Sequence, residues 1–206
     1  MDGHPKPQQN TMSSQQSHKI KGRKTANDVF LTPPELVQKQ IDMIPDVFKQ
    51  RWGDEPGDDW EGHFWVDPFY GTGNYFNNYP ETVDKDFFEI AEPHNKDFFK
   101  QDPDEYETVD VICSNPPYSM ITPVLKKCVD FDPDVISLLI GQGNLTTKRI
   151  EFMNQNGYGL TKVLMVKISE WYGFSYIVQF EKMDEITNVI EIDRKIYHDE
   201  NAKKKK

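Results

Sequence analysis

The chain has 206 residues, of which 36% are hydrophobic and 13% aromatic, and this is enough apolar material for one folded domain with a core. Its formal net charge of −10 argues against adhesion to nucleic acid through overall charge, although it leaves room for local basic patches. No stretch approaches the roughly 18 apolar residues of a membrane span, and the N-terminus has no apolar signal core, so the sequence predicts an intracellular protein.

Both ends of the chain are polar. Residues 1–24 are rich in Gln, Ser, Lys and Pro and offer little to bury, which predicts a disordered N-terminal arm. Basic runs lie at 18–24 and 203–206; they are typical of solvated tails, and contact with phosphates is the alternative. The predicted organisation is therefore an arm at 1–24, a folded domain at 25–200 and a basic tail at 201–206.

The folded part opens with a predicted helix, TPPELVQKQIDMI at 32–44, with proline in its first turn, where the missing N–H does no harm. Helical spacing gives this segment one apolar face that is interrupted by a single glutamine. The residues of that face are Leu36, Val37, Gln40, Ile41 and Ile44. A polar loop follows at 51–62.

Downstream of this loop, apolar segments alternate with segments of helical or turn character. Strands are predicted near 63–67, 81–84, 109–114, 134–140, 160–168 and 174–181. Helices or turns are predicted at 73–79, 86–91, 119–130 and 145–155. This alternation predicts an α/β fold with a mainly parallel sheet covered on both faces. The last two strands lie close together around EWYGFS, which predicts an antiparallel hairpin at one edge.

The first candidate site segment is VDPFYGTGNYF at 66–76, directly after the first predicted strand. In an open α/β sheet, ligands bind at the carboxyl ends of the strands. Gly71 and Gly73 allow a sharp turn and a close approach of the backbone to a ligand, and the following residues are predicted to start a helix with free N–H groups. The third glycine of a dinucleotide fingerprint and the Gly-Lys-Ser/Thr of a phosphate loop are missing, so an ordinary glycine-rich turn is the alternative.

Two acidic positions follow later segments. Asp84 follows the second predicted strand, where a carboxylate can accept hydrogen bonds from both hydroxyls of a ribose. Asp97 follows a third short segment and can accept from an exocyclic amine, with Phe98 beside it to line an adenine. Acids are common in surface turns, so the order of these segments along the chain carries the argument rather than either residue alone.

The segment SNPPY ends the third predicted strand. Pro116 and Pro117 lack the N–H that would extend a strand ladder, and the extended bias before each proline predicts a rigid backbone at Asn115 and Pro116. This rigidity holds two acceptors, the side-chain oxygen of Asn115 and the carbonyl oxygen of Pro116. Together they can hold both hydrogens of a planar amine, on which Tyr118 can stack. A double-proline turn without a function is the alternative.

The two cysteines, Cys113 and Cys128, are too few for a disulfide framework and cannot form a zinc site alone. Reduced, buried thiols are therefore expected. No metal site is predicted.

These motifs, in this order, resemble the S-adenosylmethionine-dependent amino-methyltransferases, which modify the exocyclic amine of adenine, the similar amine of cytosine or guanine, or a glutamine side chain. The (N/D)PP(Y/F/W) catalytic signature of that family corresponds to Asn115, Pro116, Pro117 and Tyr118. Its glycine-rich cofactor motif resembles DPFYGTG, with Asp67, Pro68, Gly71 and Gly73. Its other cofactor contacts match Asp84 for the ribose, Asp97, Phe98 and Phe99 for the adenine, and Phe30, Thr32 and Pro33 for the methionine end.

The resemblance covers about residues 25–181, and FLTPPELV together with NPPYS is most similar to viral and phage DNA adenine methylases. It implies a Rossmann-like class I methyltransferase domain, S-adenosylmethionine as cofactor and adenine in DNA as the first candidate substrate. RNA adenine and protein glutamine are alternatives within the same chemistry. A non-catalytic cofactor-binding or scaffold subunit is the alternative from another functional class.

One departure from the family concerns target recognition. Only residues 182–206 follow the resembling region, which is too little for the recognition domain that follows the catalytic motif in DNA methylases of this motif order. Three alternatives would account for this departure. Short loops could read the target, a separate subunit could recognise it, or the substrate could be single-stranded nucleic acid, RNA or protein. Trp171, Phe174 and Tyr176 of the predicted hairpin are expected near the substrate, with core packing as the alternative.

Overall fold

The computed structural model describes residues 32–50, 62–169, 171 and 173–189. The predicted arm at 1–24, the residue Phe30 and the predicted tail at 201–206 lie outside these residues. Within the described part, one sheet of six strands is flanked by three α-helices.

The strands are β1 (Phe64–Asp67), β2 (Asp84–Phe87), β3 (Val111–Ser114), β4 (Val135–Gly141), β5 (Tyr158–Val166) and β6 (Ser175–Lys182). Their order across the sheet is β2-β1-β3-β4-β6-β5. The first four strands pair in parallel, whereas β6 is antiparallel to both β4 and β5. The predicted fold class, a mostly parallel Rossmann-like sheet with an antiparallel C-terminal hairpin, is confirmed.

Helix α1 (Pro34–Met43) has proline at its start, and its buried side chains are those of the predicted apolar face. Gln40, the polar member of that face, is fully buried and hydrogen-bonded. Its Nε2 donates to the carbonyl oxygen of Ser137 at 3.0 Å, and its Oε1 accepts from the hydroxyl of Tyr75 at 2.7 Å. The glutamine therefore joins the helix to β4 without leaving a buried amide unsatisfied.

The other two helices, α2 (Ile121–Asp130) and α3 (Thr147–Gln155), pack on the opposite face of the sheet. Alternate strand residues face the two layers: Val66 and Ile112 pack with α2 and α3, whereas Trp65 packs with α1. Both faces are thus covered, which explains the continuous apolar runs of β3 and β4. Among the helices of the described residues, none combines the length and the apolar character that crossing a bilayer requires.

Both cysteines are buried free thiols, as predicted. Cys113 lies in β3 and Cys128 in α2. Burial raises the pKa of each thiol above its ordinary value, so both are held as neutral thiols.

The second strand is displaced from its predicted place at 81–84. The observed β2 begins at Asp84 and runs into the segment predicted as a helix or turn at 86–91. Its register is set by parallel pairing with β1, from Phe64 opposite Asp84 to Asp67 opposite Phe87. Because β2 is a polar edge strand, its position depends on backbone pairing rather than on a hydrophobic pattern.

Candidate active site

The glycine-rich turn follows β1 at the carboxyl edge of the sheet. Gly71 has a φ of 55° and Gly73 a φ of 81°, in the left-handed region that favours glycine. A Cβ at Gly73 would lie 2.6 Å from Nδ2 of Asn77 and 2.7 Å from the hydroxyl of Tyr70. Both the backbone conformation and the lack of space therefore require glycine at this turn.

Asp67 ends β1 and is completely buried. Its Oδ1 accepts hydrogen bonds from the hydroxyl of Ser114 at 2.7 Å and from the N–H of Phe69 at 3.1 Å. Its Oδ2 has no hydrogen-bond partner among the described residues. Burial, opposed in part by the hydrogen bond from Ser114, raises the pKa of Asp67 to about 7. A buried acceptor without a partner is the kind of feature that a bound donor completes.

Glu89, which was not predicted as a site residue, lies just past the end of β2. Its Oε2 accepts from the N–H of Gly71 at 3.0 Å, and its Oε1 accepts from the N–H of Ala91 at 2.9 Å. The carboxylate is therefore held directly against the glycine-rich turn. A correct end for β2 would have identified Glu89 as the acid that follows the second strand.

Asp84 begins β2 instead of following the second strand, so its predicted place was wrong. Its N–H donates to the carbonyl oxygen of His63 at 2.9 Å, and the residue is exposed. It pairs with Phe64, the first residue of β1, at the amino edge of the sheet. Gly71 and Glu89 lie past the carboxyl ends of β1 and β2, so the length of these strands separates them from Asp84.

Asp97 and Phe98 are neighbours in the chain but differ in exposure: the carboxylate of Asp97 is partly exposed, whereas the ring of Phe98 is buried. The carboxylate of Asp97 accepts from the N–H of Phe99 at 3.1 Å and remains partly exposed. The ring of Phe98 is only 1% exposed and stacks on Phe131, with 5.4 Å between ring centroids. Phe98 thus belongs to the core and does not present its ring to a surface. Phe99 is half-buried, with its ring centroid 6.3 Å from that of Phe69.

Asn115 lies directly after β3, and its amide is held in one orientation. Its Nδ2 donates to the hydroxyl oxygen of Thr32 at 3.0 Å, which makes the buried Oδ1 the acceptor of this side chain. The carbonyl oxygen of Thr32 in turn accepts from Nδ2 of Asn74, in the glycine-rich segment, at 2.8 Å. Pro116 and Pro117, which follow Asn115 in the chain, are both buried. The structure thereby brings three distant motifs into contact.

The ring of Tyr118 is positioned by three neighbours. Its hydroxyl lies 3.2 Å from Oγ of Ser175, and its ring centroid is 6.4 Å from that of Trp171. Gly141, at the end of β4, provides the space for the ring, since a Cβ there would lie 2.8 Å from Cδ2 of Tyr118. Gly141 was not predicted as a site residue, because no local pattern shows that an aromatic ring from another segment packs against it.

The three aromatic residues predicted near the substrate have different surroundings. The ring of Trp171 adjoins that of Tyr118. Phe174 is 43% exposed, and the Nζ of Lys167 lies 5.8 Å from its ring centroid. Tyr176 packs against the core on the side of α2 and α3, which is the core-packing alternative. Within the described ranges, no group of three or more His, Cys, Asp or Glu side chains is arranged to hold a metal ion.

No known protein-family profile and no curated protein sequence matches the chain. TrmN from Thermus thermophilus matches 74% of the chain with 18% identity and a TM-score of 0.48, and the chain spans 49% of TrmN. Magnesium protoporphyrin IX methyltransferase from Synechocystis, solved with bound SAM, has a TM-score of 0.54 and 10% identity over 72% of this chain and 79% of its own. The N-methyltransferase NodS from Bradyrhizobium japonicum has a TM-score of 0.51 and 6% identity, and the match covers 73% of this chain and 94% of NodS. The likeness to the last two shows that this chain has a Rossmann-like methyltransferase fold.

Proposed function

We propose that this chain is an S-adenosylmethionine-dependent methyltransferase that acts on an exocyclic amine, with adenine in DNA as the first candidate. The observation that carries the proposal is the contact between Asn115 and Thr32, linked through Asn74 to the glycine-rich turn. This contact joins the amine-binding signature to the cofactor motifs. The resemblance of NPPYS and FLTPPELV to viral and phage DNA adenine methylases supports DNA over the alternatives, RNA adenine and protein glutamine.

The residues at the carboxyl edge fit S-adenosylmethionine. The Oδ2 of Asp67, which accepts no hydrogen bond from the part of the chain that the structure describes, suits the α-ammonium of the methionine part. Gly71 and Gly73 allow the backbone to approach a ligand closely. Glu89 takes the place that Asp84 was expected to hold, as the acid for the ribose hydroxyls. Asp97 is the acceptor proposed for the adenine amine, and Phe99 rather than Phe98 offers a partly exposed ring beside it.

The proposed role of the NPPY segment is to stabilise the charge that develops on the target amine. S-adenosylmethionine supplies an activated methyl group on a sulfonium. Oδ1 of Asn115 and the carbonyl oxygen of Pro116 accept the two hydrogens of the amine, which favours a tetrahedral nitrogen and the positive charge of the transition state. Tyr118 stacks on the ring that carries the amine and keeps the nitrogen aligned for transfer. As the new nitrogen–methyl bond forms, the sulfonium would leave as a neutral thioether, and the methylated nitrogen would then give one proton to water, so this arrangement needs no strong base.

Exchanging Glu89 for glutamine is expected to weaken S-adenosylmethionine binding by about 1.5–3 kcal/mol, because the ribose hydroxyls lose a charged acceptor. Asp84→Asn is the matched control and should leave the affinity unchanged, since Asp84 lies at the opposite edge of the sheet. Isothermal calorimetry on both variants makes the comparison. Equal losses of affinity in the two variants would contradict the assignment of Glu89.

Alanine at Gly141 is expected to weaken substrate binding by about 1–3 kcal/mol, the scale of one base–aromatic stack, because the new Cβ displaces the ring of Tyr118. Tyr118→Ala should have a similar effect, whereas Tyr118→Phe should retain most activity. Tyr118→Phe is the control, since it keeps the ring and removes only the hydroxyl, which lies 3.2 Å from Oγ of Ser175. KM values for methyl transfer make the comparison. A KM in Gly141→Ala as low as in Tyr118→Phe would argue against the role of the ring.

The proposed function is tested by incubating the chain with tritiated S-adenosylmethionine and, separately, duplex DNA, single-stranded DNA, RNA and protein extract. Nucleoside and peptide analysis then locates the label. Label on the exocyclic amine of adenine in DNA is the expected result. Label on RNA adenine or on glutamine would select the corresponding alternative substrate. Cofactor binding without any transfer would instead support a non-catalytic scaffold subunit.

A further inference from the structure

A cleft of about 410 Å³ opens between α2 and α3, beside the turn Gln142–Asn144 that follows β4. Its lining includes three cations, Lys126, Lys148 and Arg149, and none of the described side chains that line it is acidic. This local positive charge contrasts with the formal net charge of −10 for the whole chain. A concentration of cations in a concave surface of an acidic protein indicates an anion as its ligand.

The cations of the cleft comprise one fixed guanidinium and two exposed lysines. The Nη1 of Arg149 donates to the carbonyl oxygen of Asn144 at 2.6 Å and to its Oδ1 at 2.8 Å, and the Nε donates to the hydroxyl of Thr122 at 3.0 Å. Lys126 and Lys148 are exposed and form no ion pair with any acid of the described residues. The two lysines are therefore available to a mobile anion beside a rigid guanidinium.

The position of the cleft relates its ligand to the NPPY segment. The turn Gln142–Asn144 directly follows Gly141, which packs against the ring of Tyr118. Helix α2, which forms one wall, begins three residues after Tyr118. Helix α3 begins at the other wall, where its first N–H groups add to the positive potential. A nucleic-acid strand with one base stacked on Tyr118 would thus bring a neighbouring phosphate to the cleft.

We propose that this cleft binds a backbone phosphate of the nucleic-acid strand whose target base stacks on Tyr118. The inference rests on the proposed function and deepens it, because it assigns to that function a surface that holds the substrate strand. Lys126 and Lys148 bind the phosphate by charge, and Arg149 shapes the cleft around it. Such contacts position a strand without reading its sequence.

The test compares two double variants of the full chain. Lys126→Gln/Lys148→Gln removes the two unpaired charges of the cleft, and Lys39→Gln/Lys182→Gln removes the same charge from exposed lysines that do not line it. Fluorescence anisotropy with a labelled single-stranded oligonucleotide gives the affinity over a range of salt concentrations. The slope of log K against log salt should become shallower by about 0.7 in the cleft variant, since the one phosphate contact that it loses accounts for about 0.7. The control pair should keep the wild-type slope.

An abasic oligonucleotide separates the phosphate contacts from the base contact. The cleft variant should lose affinity for abasic and ordinary strands alike, whereas Tyr118→Ala should lose affinity only for the strand that carries bases. Equal salt slopes in the two double variants would overturn the phosphate site. If wild-type methyl transfer to nucleic acid proceeds in that case, the proposed function stands without the cleft. If the cleft variant alone has the shallower slope while the wild type transfers no methyl group, the phosphate site is supported and the proposed function fails.

Discussion

Replacing Asn115 by alanine is expected to lower the rate of methyl transfer by at least about a hundredfold, the usual scale for removing one preorganised polar group. The reason is geometric. The Nδ2 of Asn115 is engaged by the hydroxyl of Thr32, so the side chain presents its Oδ1 as acceptor to the target amine. Cofactor affinity should stay unchanged, because Asn115 is not among the proposed cofactor contacts, which are the glycine-rich turn and the side chains of Asp67, Glu89, Asp97 and Phe99. Tritium transfer measures the rate, and calorimetry measures the binding.

The control for this change is Asn156→Ala. Asn156 is exposed at the end of α3, where its Nδ2 donates to the carbonyl oxygen of Phe152 at 2.7 Å, so it matches the chemistry of the truncation away from the NPPY segment. It should transfer methyl groups at the wild-type rate. Thermal melting of both variants shows whether the fold is retained. Near-normal transfer by a folded Asn115→Ala chain, with every nucleic-acid substrate, would rule out the amine-holding role of NPPY.

Asp67 is expected to make the free chain less stable as the pH rises from about 5 to about 7, when compared with Asp67→Asn. Burial raises the pKa of this carboxyl group from 3.8 to about 7, so the folded state keeps a proton that the unfolded state has lost in this window. The free energy of unfolding should therefore fall by about 1.4 kcal/mol per pH unit relative to the variant, and the difference should level off above pH 7. Urea unfolding of both chains across this range measures it.

Cofactor binding provides a second measurement on the same group. A charged Asp67 suits the proposed α-ammonium partner, so S-adenosylmethionine affinity should rise with pH up to about 7 and binding should release a proton. Calorimetry in two buffers with different ionisation enthalpies detects that proton. Comparison with Asp67→Asn removes the contribution of the other titrating groups to the pH dependence. If both chains show the same pH dependence of unfolding, Asp67 does not hold the proton in the free chain, and the predicted release of a proton on cofactor binding would be contradicted.

Several elements of the fold are determined by local sequence. The buried β-branched runs of β3 and β4 predict a sheet covered on both faces, because such strands need apolar side chains on each side. The proline at the start of α1 and its apolar face predict that helix. The double proline after β3 ends the strand for the covalent reason that proline has no N–H. These features depend on neighbouring residues, so the sequence alone was sufficient to predict them.

Tertiary structure decided the features that depend on contacts between distant segments. The polar edge strand β2 is placed by its pairing with β1, and this pairing moves Asp84 to the amino edge and Glu89 to the glycine-rich turn. Phe98 lies in the core because Phe131, from another segment, stacks on it. The cleft between α2 and α3 likewise exists only once the two helices pack side by side. Composition and local pattern do not contain these pairings, because the free energy that selects them comes from burial and hydrogen bonds across the whole fold.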